Sequence, residues 1–298
     1  MDYSIGLDIG GTKISVGIVN EEGKIFSEVK LPSKTSDKDE MFKQVVSVIE
    51  KSLAGFEGDK KSILGIGIGL PGKVDRKNGI AVFQNNLPWT NFPLKEKLLK
   101  NYLGMEIRID NDVAVAAYGE HFLHKLAKEK LFTYITLSTG VASASILNNE
   151  LIKGNGFSGE LGLIPVLSEL EGNKIKALEK CSSGVAIEEY GREYYDNQEL
   201  TTKDIFDRFY AEDPKAKEII QGVAKSLAYG FVSVISLLDP EQIIVGGSVA
   251  VHHPVLIDLV KKNLRELLID AQMDAIERIS VSAHPDAALI GSASQLFL

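Results

Sequence analysis

The sequence predicts an α/β protein with two core-bearing lobes, and three observations carry that expectation. Apolar strand-length runs alternate with amphipathic helical stretches along the whole chain. A strand, a Gly/Thr turn and a second, alternating strand open the chain and recur at a constant offset of 128 residues: Thr139-Gly140 falls on Gly11-Thr12, Ile146 on Ile18, Leu147-Asn148 on Val19-Asn20 and Glu150 on Glu22. The 298 residues, 44% hydrophobic and 25% charged, are enough to fill two cores.

The same composition excludes other classes. A net charge of −8 opposes a nucleic-acid partner, because neutralising phosphates requires clustered Lys and Arg. No run approaches eighteen apolar residues and no basic segment precedes an apolar one at the start, so neither membrane nor export is expected and the cytoplasm is the expected compartment. The single cysteine, Cys181, can form neither an internal disulfide nor a multi-cysteine zinc site.

The opening stretch Ile5 to Asn20 reads as strand, two-glycine turn and strand, the second alternating Ile14, Val16 and Ile18 against Ser15, Gly17 and Val19. Gly10 and Gly11 let bare N–H groups approach an anion, Thr12 and Lys13 add a hydroxyl and a charge, and Asp8 sits where a metal-bound phosphate would lie. A lone Gly-Gly is ordinarily only a hairpin turn; Asp8 argues for more. Lys24 to Lys30 extends the hairpin, Met41, Val45, Val48, Ile49 and Leu53 recur at helical spacing, and Ser62 to Leu70 suits a buried parallel strand.

Gly67-Ile-Gly69-Leu-Pro-Gly72 matches the dinucleotide string. Pro71 and the polar 73–79 stretch oppose the helix that motif needs, and the position twenty residues on is Phe92, not an acid for the ribose. Pro71-Gly72 is better used as a loop beside a small polar ligand. Asn85-Asn86-Leu87-Pro88-Trp89 forms a turn-rich loop, Leu94 to Tyr102 a helix and Met105 to Ile109 a strand. At that strand's carboxyl end stand Asp110, Asn111 and Asp112, where open α/β sheets place ligands. Three polar residues there serve one helix cap, leaving at least one for other work. His121 and His124 could share a helix face; with no third ligand near in sequence they read as solvated residues.

In the second half, Gly154 to Leu163 is a glycine-rich loop carrying Glu160, and Glu179 precedes the helix Val185 to Tyr195; exposed charge is the simple reading of both. A long helix over Lys215 to Leu238 stops at Asp239-Pro240, and strand Gln242 to Val245 ends in Gly246-Gly247-Ser248, suited to an adenosine or phosphate. Helix Val255–Leu268, strand Arg278–Ala283 and helix Ala287–Phe297 close the chain.

Taken together, Asp8-Ile-Gly-Gly-Thr-Lys13, Gly69-Leu-Pro-Gly72, Asn86-Leu-Pro-Trp89, Asn111-Asp112, Ser138-Thr-Gly140, Gly159-Glu-Leu-Gly162, Leu178-Glu179 and Gly246-Gly-Ser248 resemble, in order and spacing, the motifs of the ROK family of bacterial sugar kinases and repressors. The resemblance implies an actin/hexokinase-type (ribonuclease H-like) fold of two duplicated lobes with ATP and sugar in the cleft between them, and a homodimer. The lobes would span 1–115 and 116–285, with the helix 286–298 packing back on the first. Asp112 is similar to the family's catalytic base, which takes the proton of a sugar C6 hydroxyl. Gly72, Asn86, Asn111, Glu160 and Glu179 resemble its sugar contacts. Gly10, Gly11, Thr12, Lys13, Thr139, Gly140, Gly246 and Gly247 resemble its nucleotide contacts, with Asp8 facing Mg²⁺. Closure of two such lobes would exclude water during phosphoryl transfer.

Two departures matter. The family commonly has a His where this chain has Leu163, and three cysteines shortly after it, together holding a structural zinc; the 171–178 segment has no cysteine, and zinc is therefore not expected. The glycines that usually follow Thr-Gly are Ala142-Ser143-Ala144-Ser145, which could alter the fit around ATP. Ser138-Thr139-Gly140 is similar to N-acetylmannosamine kinases, which makes that sugar the first expectation and glucose or a β-glucoside the second. A sugar-sensing repressor would call for a helix-turn-helix domain ahead of the first strand, and that strand begins at Tyr3.

Overall fold

The structure is a computed structural model that describes residues 1–84, 86–155 and 157–298; Asn85 of the Asn-Asn-Leu-Pro-Trp loop and Gly156 of the glycine-rich loop lie outside the described residues. Two compact units are formed, the first by Met1–Ala127 with His284–Leu298, the second by Lys128–Ala283.

Unit 1 contains β1 (Tyr3–Ile9), β2 (Lys13–Asn20), β3 (Ile25–Pro32), α1 (Lys38–Gly55), β4 (Ile63–Leu70), β5 (Lys73–Asp75), β6 (Ile80–Phe83), β7 (Thr90–Phe92), α2 (Leu94–Leu99), β8 (Glu106–Asn111), α3 (Asp112–His124) and the last helix, α10 (Ala287–Ser294). The main sheet has the order β3-β2-β1-β4-β8, antiparallel through β1 and parallel beyond it. Ile5, Leu7, Ile9, Ile14, Val16 and Ile18 are fully buried, joined in one core by Met41, Val45, Val48 and Ile49 of α1. Those four sit at i, i+4, i+7 and i+8, the stripe that makes a helix bury one face.

A row of glycines decides where α10 lies. Gly17, Gly6 and Gly67 are register neighbours across β2, β1 and β4. A Cβ at Gly6 would stand 2.3 Å from the Leu289 carbonyl oxygen, and one at Gly67 only 1.7 Å from that of Ser292. The helix backbone thus rests on the sheet itself. It meets α3 equally closely: a Cβ on Gly119 would fall 1.9 Å from the Ala287 oxygen, and one on Gly291 1.7 Å from that of Val115. This accounts for the misleading glycine string. Gly67 packs under α10, Gly69 lies against Val115, and Gly72 takes φ +79° at a turn into β5, where a dinucleotide motif would begin a helix.

The contact of α3 with α10 also moves the expected boundary. A division at 115/116 would cut α3 in half; the whole helix belongs to unit 1, and the division falls after Ala127. The α2 helix is shorter than expected, and β5, β6 and β7, each too short for alternation to betray it, pair as a small antiparallel sheet.

Unit 2 contains β9 (Phe132–Leu137), β10 (Val141–Leu147), β11 (Glu150–Leu151), β12 (Pro165–Ser168), β13 (Lys174–Ala177), α4 (Leu178–Ser182), α5 (Gly184–Tyr195), α6 (Thr202–Tyr210), α7 (Pro214–Leu238), β14 (Gln242–Gly246), α8 (Ser248–His252), α9 (Val255–Leu267) and β15 (Ile279–Val281). Its sheet, β11-β10-β9-β14-β15, repeats the order and strand senses of the first. The duplication seen in sequence is therefore a duplication of topology. The α7 helix, capped by the Asp213 carboxylate and ended by Asp239 in a left-handed conformation, is long and apolar enough to cross a membrane, yet most of its apolar stretch is buried in the unit 2 core.

Candidate active site

In unit 1 the candidate residues gather at the ends of β1, β4 and β8. The β1–β2 turn is held by the Gly10 N–H donating to the Lys13 carbonyl at 2.9 Å, and by Ser33, whose hydroxyl donates to the Gly10 carbonyl at 2.6 Å. Gly11 lies directly on Asn86: a Cβ there would be 2.6 Å from the Asn86 Cβ. An expected phosphate contact and an expected sugar contact thus touch, and with Thr12, Thr35 and Leu87 they line an open recess of about 610 Å³. Trp89 fixes this loop from below. It is buried, stacks on Phe92 at 4.9 Å, and its indole N–H donates to the Lys38 carbonyl at 3.0 Å. Burial raises the pKa of Asp8, an effect that nearby Lys13 opposes.

Asp110, Asn111 and Asp112 divide their labour. Asp110 is buried and held by Arg76, whose Nη2 lies 2.6 Å and Nε 2.7 Å from its Oδ1. Asn111 is the N-cap of α3; its Oδ1 accepts the Ala114 N–H at 2.8 Å, and its amide NH₂ takes no part in the cap. Asp112 is the first helical residue, exposed, with Oδ1 accepting the Val113 N–H at 2.9 Å. Its pKa is pushed up to about 6, first by the surrounding protein, which displaces water although the side chain stays reachable by solvent, and then by the charge of Asp8. Gly72, exposed, places its backbone against Phe83, where a Cβ would lie 2.4 Å from the carbonyl oxygen.

In unit 2 the β9–β10 turn is closed by the Ser138 N–H donating to the Gly140 carbonyl at 3.0 Å, while the Gly184 N–H donates to the Ser138 carbonyl at 2.7 Å. The Glu179 carboxylate lies over this turn, 3.0 Å from where a Cβ of Gly140 would be. Gly247, at φ +86°, brings the end of β14 onto the Leu137 backbone, and Gly246 faces the Tyr134 ring. Glu179 is therefore a neighbour of Gly140, and Gly246 and Gly247 end β14 beside β9, the strand that leads into the Thr139-Gly140 turn. Glu160 is exposed in the glycine-rich loop, which is tied to β10 where the Ser143 N–H and hydroxyl donate to the Gly159 carbonyl at 2.7 and 3.1 Å. Ser145 meets Thr133 at 2.9 Å. Two hydroxyls of the Ala142–Ser145 segment are thus engaged inside unit 2. Leu163 is 57% exposed.

Two features escaped the sequence reading. Ser138, Thr139, Val185, Thr202, Val249 and His253 line a recess of about 230 Å³ beside the β9–β10 turn. Burial and neighbouring His252 hold His253 below the usual histidine pKa, and its ring stacks on Phe206 at 3.7 Å. The expectation for His121 and His124 is corrected: His121 is buried, with its pKa lowered by that burial, and half-buried His124 lies against the Glu120 carboxylate.

Comparisons with known proteins agree with these motifs. The ROK family model matches residues 4–297. A glucokinase of Halalkalibacterium halodurans is 28% identical, the match covering 97% of this chain and 93% of that protein. A ROK hexokinase of Thermus thermophilus superposes with a TM-score of 0.82 at 25% identity over 98% of this chain and 96% of its own. A ROK glucokinase of Streptomyces griseus, solved with glucose and AMPPNP, does so with a TM-score of 0.77 at 27% identity over 98% of both chains. With the family model spanning nearly every residue and the two like-ordered sheets, the chain belongs to the ROK family and has its actin/hexokinase-like two-lobe fold.

Proposed function

We propose that this ROK sugar kinase transfers the γ-phosphate of ATP to the C6 hydroxyl of a hexose, with Asp112 as the base that accepts the hydroxyl proton. The observation that carries the proposal is the position of Asp112: the helix cap is made by Asn111, and the Asp112 carboxylate, near pKa 6, stands at a strand end beside the glycine turn. A base ionised at neutral pH yet basic enough to take a proton suits the step. Phosphoryl transfer is mostly positioning and charge neutralisation. Gly10, Gly11, Thr12, Lys13, Thr139, Gly140, Gly246 and Gly247 would serve as nucleotide contacts, with the recess beside Thr139 taking the nucleoside. The residues fit a divalent cation as well: Asp8, a carboxylate whose burial disfavours its charge, would hold Mg²⁺. When bound, Mg²⁺ neutralises phosphate oxygens. Gly72, Asn86, Asn111, Glu160 and Glu179 would orient the sugar. The protein acts in the cytoplasm as a homodimer in this reading.

N-acetylmannosamine is the favoured hexose and glucose the alternative. Ser138-Thr139-Gly140 supports the first, as does Leu163, whose backbone N–H donates to the Glu160 carbonyl at 3.0 Å and whose exposed apolar side chain suits an N-acetyl methyl. The glucokinase relatives support the second. Sugar-dependent ADP release measured with N-acetylmannosamine, glucose, N-acetylglucosamine, fructose and cellobiose tests the proposal. Highest kcat/KM for N-acetylmannosamine supports the full reading, a preference for glucose supports the alternative, and no release with any sugar overturns both.

A further inference from the structure

Two turns along α3 from Asp112, three metal-ligating side chains converge in unit 1. Glu120 has no exposed side-chain surface, and its Oε2 lies 2.9 Å from Nδ1 of His284 and 3.4 Å from Nε2 of His124. The two imidazoles stand edge to face with centroids 5.4 Å apart, and the three ligand atoms all fall within 4.8 Å of one another. Glu120 and His124 share a helix face at i, i+4. His284 arrives from the far end of the chain, held in place because α10, three residues on, packs on α3 through Gly119 and Gly291.

We propose that Glu120, His124 and His284 form a zinc site, with water as the fourth ligand, that fastens the start of α10 to the end of α3. Burying an ionised carboxylate is costly unless a cation compensates it. Two imidazole nitrogens and a carboxylate oxygen are a donor set that zinc takes with an open fourth position. Tetrahedral ligands about 2.0–2.2 Å from the ion stand about 3.3–3.6 Å apart, close to the 2.9 and 3.4 Å at which the carboxylate oxygen meets the two imidazoles. His124 and His284 keep 27% and 35% of their side-chain surface in solvent, which leaves an entry path and room for the water. Imidazole donors disfavour Mg²⁺, so the nucleotide's metal would not compete. On binding, the imidazoles ligate in their neutral form, His284 as the tautomer that carries its hydrogen on Nε2. The site is distinct from the family's cysteine-containing zinc arrangement, which Cys181 alone cannot build.

The test is a titration of metal-free, full-length protein with zinc against a chromophoric chelator, with thermal unfolding in parallel. One zinc per chain and a zinc-dependent rise in Tm are expected, with His124→Gln and His284→Gln each weakening binding by about 100-fold or more and removing the Tm rise. Should a variant misfold, cobalt replacing zinc in the unaltered chain still decides: visible bands of a tetrahedral nitrogen and oxygen site, with no thiolate charge transfer, are expected. No saturable zinc binding, or binding that survives both substitutions, or a thiolate band with cobalt, would overturn the proposal.

Discussion

Asn111 accepts the Ala114 N–H at 2.8 Å and so makes the cap that its neighbour Asp112 could equally have made. Because the cap falls one residue earlier, the Asp112 carboxylate projects from the first helical position, where the surrounding protein, and then the charge of Asp8, raise its pKa to about 6. The chemistry assigned to Asp112 follows from this one-residue displacement.

The pH dependence has a definite sign. Asp112 must be ionised to accept a proton, so kcat should rise with pH through about 6 and level off above it. Stability should run the other way. The folded-state pKa lies above the ordinary 3.8, so the native protein binds the proton more tightly than the unfolded chain, and Asp112 costs stability increasingly as pH rises from about 4 to about 6, the cost staying constant above that. Asp112→Asn should therefore raise Tm at pH 7.5 and leave it unchanged below pH 4, as a pair of melting series would show.

Filling the recess of unit 2 separates nucleotide from sugar. Val185 lines that recess and is partly exposed, so Val185→Trp should occupy the space without disturbing the core. The KM for ATP is expected to rise about ten-fold or more with the sugar KM within two-fold, a pattern that removes uniform binding of one substrate. Equal changes in both would move the nucleoside elsewhere.

Glu179, whose carboxylate lies over Gly140, is expected to hold a sugar hydroxyl. A hydrogen bond to a charged group contributes about 1.5–3 kcal/mol against about 0.5–1.5 kcal/mol for a neutral one, so Glu179→Gln should lower kcat/KM for the sugar about 5- to 10-fold. Steady-state kinetics at saturating ATP would check it. Leu163→His should in the same assay shift preference from N-acetylmannosamine toward glucose.

The helix crossing in unit 1 tolerates no side chain. Gly119→Ala puts a methyl where only 1.9 Å separates it from the Ala287 carbonyl oxygen, and overpacking of this kind costs about 1–3 kcal/mol or more. Chemical denaturation should show that loss, and a stability equal to that of the unaltered chain would mean that α3 and α10 are not packed this closely.

Much of the scaffold was legible because its signals are local. Ile14, Val16 and Ile18 alternate, Met41 to Ile49 repeat at helical spacing, and the Gly/Thr turn occurs twice at one offset, so both hairpins and their duplication could be read without coordinates. What escaped needs partners distant in sequence. Arg76 reaches Asp110 only once β5 and β8 are placed, and His284 meets Glu120 across 164 positions because α10 returns to unit 1. The strands β5–β7 and β12–β13 are four residues or fewer and carry no period long enough to detect. The choice between Asn111 and Asp112 as the cap was open in sequence because both side chains cap well.

The central claim is the assignment of the base to Asp112, and Asp112→Asn assayed for sugar-dependent ADP release, with sugar binding measured by calorimetry, tests it most directly. Loss of general-base catalysis lowers kcat by about 10²- to 10⁴-fold, and because the shape and hydrogen-bonding reach of the side chain are kept, sugar affinity should stay within a few-fold. Turnover within a few-fold of that of the unaltered chain would contradict the assignment.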